Sequence, residues 1–331
     1  MQLEYQMNLH DNKETFAQAI RATAQELGIA PEFIEKDYWI CRILQRLSSN
    51  PLNERIVWKG GTSLSKAYGL IKRFSSDVDF AVLLEGLSQN QQKKLVSKIG
   101  KETTADLEEF DVPEGTIKNN KFRKTFHRYE SVLGERKRNL NFLGNYVIVE
   151  INTYGNPYPY LKKRIKPFIT EMLERRRLYS LINELEVEPF ELNVLDKRQT
   201  LCEKIVSLLR FSFEDNVTAG IASKIRHFYD IYYLTQDKDC IEYLNSGFSN
   251  DLLQLIAHDK AEFDRPLKWK NTDIMESPLL SDFDSIWMKV SPIYKTEVGA
   301  LSYGSIPAPN DIHNTTTHLL ELVKTIIKQK Q

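Results

Sequence analysis

Lys59-Gly-Gly-Thr-Ser-Leu-Ser-Lys66, followed after a short interval by Arg73-Phe-Ser-Ser-Asp-Val-Asp-Phe80, is the stretch on which the fold turns. The residues just before it, Arg55-Ile-Val-Trp-Lys59, are few and β-branched, the composition of a strand. Gly60 and Gly61 then allow a sharp turn that presents bare N–H groups. Helical character resumes over 62–71, with Thr62 or Ser63 as N-cap, so the turn and the helix start together suit a phosphate. Lys66, one turn into that helix, adds a positive charge for a triphosphate. No GxxxxGK[ST] occurs in the chain, so this is not a Walker loop.

Asp77 and Asp79 open a second predicted strand, 77–84. At i and i+2 their carboxylates project from one face, about 6–7 Å apart along the chain. Such a pair repels itself unless a cation lies between. Mg²⁺ is the natural occupant, held by one or two carboxylates plus substrate phosphates. Glu150, on a third predicted strand at 145–151, is the candidate third carboxylate; its flanks Val149 and Ile151 would point to the opposite, buried face. Taken alone, Asp-x-Asp is also what a solvated strand end looks like. The rarer feature is the whole order: strand, Gly-Gly, helix, Arg-x-Ser-x-Asp-x-Asp, strand.

Outward from this unit, helical patterns fill 15–27 and 31–47, the second with Pro31 in the first turn and a stripe of Ile34, Tyr38, Cys41, Ile43 and Leu44. Another helix is predicted over 88–110. Beyond Pro157 and Pro159 the segments near 168–181, 197–213, 217–236, 251–263 and 315–329 all read as helices, with little strand signal after Leu195. The 331 residues, at about 150 per domain, predict two lobes. The expected division is an α+β lobe over 1–160 and a mainly helical lobe over 161–331. The apolar fraction is 41% and 45 Lys+Arg balance 45 Asp+Glu, which excludes a disordered chain and a uniformly basic nucleic-acid coat. Three widely spaced cysteines make neither a disulfide framework nor a Cys-based zinc site, and point to a reducing compartment. The first residues lack the pattern of a signal peptide, and no run reaches the roughly 18 apolar residues of a membrane span. The expectation is a cytoplasmic protein without a membrane partner.

The run KGGTSLSKAYGLIKRFSSDVDF over 59–80 resembles the first motif of the AbiEii/AbiGii-type nucleotidyltransferases, toxins of bacterial toxin–antitoxin systems that include the MenT toxins. Glu35-Lys-Asp-Tyr-Trp39 is similar to that family's lead-in helix. Lys204 in CEKIVSLLR and Asp230 in RHFYDIYYL match its later lysine and aspartate by order and spacing. The resemblance covers roughly residues 30–85 and 145–235. It implies a nucleotidyltransferase palm, a mixed sheet with helices, joined to a helical lobe that contributes Lys204 and Asp230 to a cleft. It further implies metal on Asp77 and Asp79, Ser75 as the motif serine, Lys204 on nucleotide phosphate and Asp230 completing the site. The family's glycine–serine pair reads Gly61-Thr62 here, a change that keeps a hydroxyl. The activity implied is Mg²⁺-dependent transfer of NMP from an NTP, bound through Gly60, Gly61, Thr62, Lys66 and Ser75, to an acceptor such as a tRNA 3′ end. A cognate antitoxin encoded nearby would be the partner.

Helix geometry alone leaves more room. Lys204 falls at the edge of the stripe Leu201, Ile205, Leu208 and Leu209, where a lysine faces a cleft or snorkels to solvent. Asp230 lies opposite the stripe Ile221, Ile225, Phe228 and Tyr232, and Arg226 at i−4 offers it an ordinary ion pair. Two segments mix basic and aromatic residues as RNA ends require: 118–138, with eight basic residues against two acids, and 162–177, with seven against two. Each is equally a solvated face balanced by the acids between 184 and 196. The histidines show no metal spacing, and neither GxSxG nor GxGxxG occurs. Three rivals stay open: a kinase-like phosphotransferase on the same apparatus, a non-catalytic nucleotide- or RNA-binding module, and a small-molecule acceptor.

Overall fold

The computed structural model describes residues 8–75, 77–134 and 144–330. Two compact units emerge: 1–67 with 74–195, and 68–73 with 196–331. The boundary thus falls after Leu195, not near 160. The reason is that two strands beyond Tyr160 belong to the sheet of the first unit.

That sheet is mixed and, among the described residues, eight-stranded. Its strands are β1 (Ile56–Lys59), β2 (Asp77–Val82), β3 (Glu108–Phe110), β4 (Ile117–Lys118), β5 (Phe122–Arg128), β6 (Tyr146–Asn152), β7 (Tyr160–Ile165) and β8 (Phe190–Leu195). They lie in the order β3-β5-β6-β2-β1-β8-β7, with β4 against β5. The central pairs β2–β6 and β1–β8 are parallel; β1–β2, β5–β6 and β7–β8 are antiparallel. The fold is α+β, as the sequence predicts, but β3 to β5, β7 and β8 carry no pattern clean enough to be read beforehand.

Helices α1 (Lys13–Leu27), α2 (Pro31–Ser48), α3 (Gly60–Lys66), α4 (Gln89–Thr103), α5 (Phe168–Arg175) and α6 (Tyr179–Glu184) complete the first unit. Asn12 caps α1 by accepting from the Thr15 N–H, and left-handed Gly28 ends it. Pro31 starts α2, where its missing N–H costs nothing. From Phe33 to Cys41 every residue of α2 is buried, including Glu35, Lys36 and Asp37. The side chains of Val147, Val149 and Ile151 are fully buried on one face of β6. A Cβ added to Gly100 of α4 would meet Ile151 at 3.6 Å, which places α4 over that face. The predicted helix over 88–110 stops at Thr103, and its last three residues are β3 instead. The predicted helix over 168–181 is broken by Arg177 at φ +60.

The second unit is helical: α7 (Lys197–Phe211), α8 (Val217–Ala222), α9 (Ile225–Leu234), α10 (Lys238–Leu244), α11 (Phe248–Glu262), α12 (Leu267–Asn271), α13 (Pro278–Ser281), α14 (Phe283–Leu301) and α15 (Pro309–Lys328). Phe228, Phe248, Trp269 and Tyr294 form the fully buried centre. Residues 68–73 belong here because they are stitched to it. The Tyr229 hydroxyl accepts from the Lys72 N–H at 3.2 Å, the Tyr303 N–H donates to the Lys72 carbonyl at 2.9 Å, and Arg73 bridges Ser302. No described helix is long and apolar enough to cross a membrane. Cys41, Cys202 and Cys240 are buried free thiols.

Candidate active site

Strand β2 alternates strictly at its start. Val78 and Phe80 are fully buried, which turns Asp77 and Asp79 to the other face, where both are half-buried. Register then lines charges up across four strands. Lys59 of β1 stands opposite Asp79, Asp79 opposite Glu150 of β6, and Glu150 opposite Lys124 of β5. Directly paired residues share a face, so these four side chains form one row beside Asp77.

Gly60 closes the row at the turn. Its φ is +86, and a Cβ built there would fall 2.1 Å from Asp79 Oδ2. Only glycine lets the backbone pass this close to the carboxylate. The first residue of α3 is therefore Gly60, with Lys59 as N-cap, and not Thr62 or Ser63. Those hydroxyls are committed to the backbone instead. Thr62 Oγ1 donates to the Asp77 carbonyl at 2.7 Å, pinning the start of β2 to α3, and Ser63 Oγ donates to the Gly60 carbonyl at 2.8 Å. Gly61 is the second residue of α3, and Ser75 is buried two positions before Asp77.

Glu150 is where the sequence places it, next to Asp79, but its Oε1 is held by the Lys124 ammonium at 2.8 Å. Among the described residues no group of three or more His, Cys, Asp or Glu is arranged to hold a metal ion. The pair Asp77 and Asp79 fits a cation that takes one or two carboxylates and completes its shell with phosphate and water. A third carboxylate from Glu150 is not supplied in this arrangement. Burial works to lower the pKa of Lys124, but the bond to Glu150 and the charges of Glu150, Asp77 and Asp79 outweigh it and raise it.

Lys66 is not among the groups brought to the aspartates. Its Nζ lies 2.8 Å from Asp37 Oδ1 and 3.9 Å above the Phe168 ring, with the side chain 5% exposed. Asp37 Oδ2 in turn accepts from the Phe168 N–H at 2.7 Å. Burial disfavours the Lys66 ammonium, yet Asp37 more than compensates and raises its pKa. The lead-in helix and the motif lysine thus meet each other inside the first unit, in a buried ion pair beneath α5.

Lys204 and Asp230 do come together, in the second unit, with a partner that sequence reasoning missed. Arg73 grips Asp230 with both prongs, Nε to Oδ1 at 2.7 Å and Nη2 to Oδ2 at 2.6 Å, and Lys204 Nζ reaches the same Oδ2 at 2.7 Å. Asp230 is 0% exposed and the Lys204 side chain 7%. Burial works to raise the Asp230 pKa, but Arg73 and Lys204 prevail and lower it. For Lys204, burial and the nearby Arg73 and Arg226 lower the pKa against the pull of Asp230. Asp230 is thus not the surface acid that its spacing from Arg226 suggests but a buried one, held by Arg73 and Lys204. The signal was present: Arg73 is the first residue of Arg-x-Ser-x-Asp-x-Asp.

The basic segments are largely answered locally. Lys118 pairs with Glu109 at 2.7 Å and Asp111 at 3.2 Å, Arg123 with Glu109 at 3.2 Å, and Arg128 with Glu108 at 3.8 Å. The acids that pair with this first segment are on and beside β3. Residues 135–143, with three of the eight basic positions, lie outside the described residues. In the other segment Lys166 pairs with Glu174, Arg176 with Glu26 and Lys162 with Glu54 at 4.0 Å, and Lys162, Arg164, Arg175 and Arg177 are exposed.

Residues 42–289 match the family model described as "Nucleotidyl transferase AbiEii toxin, Type IV TA system". No curated protein matches the chain. Among solved structures, MenT4, a nucleotidyltransferase toxin from Mycobacterium tuberculosis H37Rv, is similar at 14% identity and a TM-score of 0.39, over 83% of this chain and 98% of that one.

Proposed function

The chain belongs to the AbiEii family of nucleotidyltransferase toxins of type IV toxin–antitoxin systems, and on that premise we propose that it transfers NMP from an NTP to an RNA acceptor such as a tRNA 3′ end. The observation that carries the proposal is the pair Asp77 and Asp79 on one half-buried face of β2, with the Gly60 turn against Asp79. In this reading Asp77 and Asp79 would hold Mg²⁺, which neutralises phosphate charge and orients the α-phosphorus for in-line attack. The acceptor hydroxyl oxygen forms the new bond to the α-phosphorus and gives its proton to water, the α–β bridge bond breaks, and pyrophosphate leaves with the electron pair. Gly60 lets the turn close against the Asp79 carboxylate, Gly60 and Gly61 are the proposed backbone contacts of the nucleotide, and Ser75 is the proposed motif serine. Thr62 acts at one remove, by fixing the start of β2 through its bond to the Asp77 carbonyl. Lys204, steadied on Asp230, is the proposed phosphate contact; Asp230 balances one of the two cations that meet there. The exposed Lys162, Arg164, Arg175 and Arg177 are the proposed RNA contacts. The proposal sets the toxin in the cytoplasm with a cognate antitoxin encoded nearby.

Asp79→Ala is the test. It should fold normally, because the residue is half-buried on an open strand face, and it should abolish Mg²⁺-dependent transfer of label from α-³²P-NTP to RNA. Retained transfer rejects the assignment. Label passing from the γ position instead of the α position would replace it with phosphotransfer.

A further inference from the structure

The acidic row on β2 and β6 comes with its own cation. Asp77, Asp79 and Glu150 sit on adjoining strands, and Lys124 enters the same row from β5, its Nζ 2.8 Å from Glu150 Oε1. The side chain is 28% exposed, so water is near. Lys59, at the other end of the row, points its ammonium toward Gly155, where an added Cβ would lie 3.5 Å from Nζ.

We propose that Lys124 is a positioning residue that makes this site select a metal–nucleotide complex over the free metal ion. The proposal rests on the nucleotidyl-transfer reading above. A bare divalent cation at Asp77 and Asp79 meets the Lys124 ammonium where it would otherwise find the Glu150 carboxylate, while the complex of that cation with a triphosphate is a net anion and is drawn to the ammonium. The same ammonium therefore opposes one ligand and favours the other, and Glu150 keeps it close enough to do both. The chain gains an order of entry: the metal arrives with the nucleotide and does not wait for it. A dication and a unit charge about 6 Å apart in a water-like dielectric interact enough to change affinity about tenfold.

Lys124→Met, Lys124→Arg and Asp79→Asn test this in two titrations. The first is Mn²⁺ alone against the nucleotide-free chain, followed by loss of the free-ion electron paramagnetic resonance signal. The second is the Mn²⁺ complex of α,β-methylene NTP analogues, each of the four bases in turn, by calorimetry. Lys124→Met should bind Mn²⁺ alone about tenfold more tightly and the metal–nucleotide complex several-fold more weakly, while Lys124→Arg stays near the wild type in both. Circular dichroism and the thermal midpoint confirm that each variant is folded. Shifts in the same direction, as a merely structural loss would give, or no shift, overturn the inference. If Asp79→Asn leaves Mn²⁺ binding unchanged, the metal reading of the aspartates fails. If Asp79→Asn abolishes binding while Lys124→Met does nothing, only the role of Lys124 fails.

Discussion

Gly60→Ala carries two penalties that can be measured apart. The first is in the backbone: φ is +86 at Gly60, a region that costs an L-residue about 1–2 kcal/mol. The second is local to the site. The added Cβ would stand 2.1 Å from Asp79 Oδ2, 3.0 Å from its Cγ and 3.3 Å from its Cβ, all below ordinary contact distance. The obstacle is the end of a short side chain, so the carboxylate can rotate away, and the clash becomes a displaced ligand more than a broken fold. Gly28→Ala is the matched control. It lies in the same unit at φ +67, and its added Cβ meets nothing within 4 Å. Both variants should lose about 1–2 kcal/mol, a thermal midpoint lower by roughly 2–8 °C for a unit of this size. Only Gly60→Ala should lose label transfer, by about a hundredfold, the scale expected for a reacting group misplaced by an ångström. Differential scanning fluorimetry reads the first effect and α-³²P-NTP incorporation the second. Wild-type transfer in Gly60→Ala, or equal loss in Gly28→Ala, would refute the argument that Gly60 exists to admit the Asp79 carboxylate.

Two further outcomes follow from buried charge. Asp230→Asn should destabilise the second unit by about 3–5 kcal/mol, since it strands Arg73 and Lys204 without their shared anion. Lys204→Met should cost far less, because the bidentate Arg73–Asp230 pair survives and one of two crowded cations is gone; equal losses in urea unfolding would contradict this. Burial lowers the pKa of His127 from 6.5 to about 4. The unfolded chain then binds a proton that the folded chain refuses, so this stability is complete above pH 6.5 and drains away as pH falls toward 4. The loss is about 3 kcal/mol in full. His127→Asn should flatten the fall in unfolding free energy between pH 7 and pH 4.5, and an unchanged slope would show that His127 titrates normally.

How much of this was legible depends on the range over which each feature is decided. The alternation Asp77-Val78-Asp79-Phe80 fixes the direction of four side chains from their own spacing, so the two aspartates could be placed on one face without knowing the sheet. Pro31, the glycine turn and the stripes of α2, α7 and α9 are local in the same sense. Strand β5 was not, because Arg123, Lys124 and Arg128 obscure its period, and reading it as a basic patch hid Lys124 from the site. Strands β7 and β8 were missed likewise: β7 lies at the sheet edge, carries Lys162, Lys163 and Arg164, and reads as a charged segment. Lys66 was misread for another reason. Its neighbours in sequence suggest phosphate, whereas its fate is set by Asp37, on a preceding helix whose charged residues Glu35, Lys36 and Asp37 are all buried.

The stretch 59–80 explains why its motif has the length it does. Residues up to Ala67 and from Phe74 onward belong to the first unit, while Tyr68–Arg73 belong to the second. The predicted helix over 62–71 ends at Lys66 because the chain must leave, turn at Gly69 with φ +64, and run beside Tyr229 and Tyr303 before it returns. Arg73 is the last residue of that excursion, and it holds Asp230 across 157 positions of sequence. Four positions after it the strand of aspartates begins. A single motif therefore fixes the glycine turn and Asp79 in one unit and the anchor of Asp230 in the other. A spacing visible in sequence is thereby tied to two charge clusters visible only in the fold, Asp77 and Asp79 in one unit and Arg73 with Asp230 in the other.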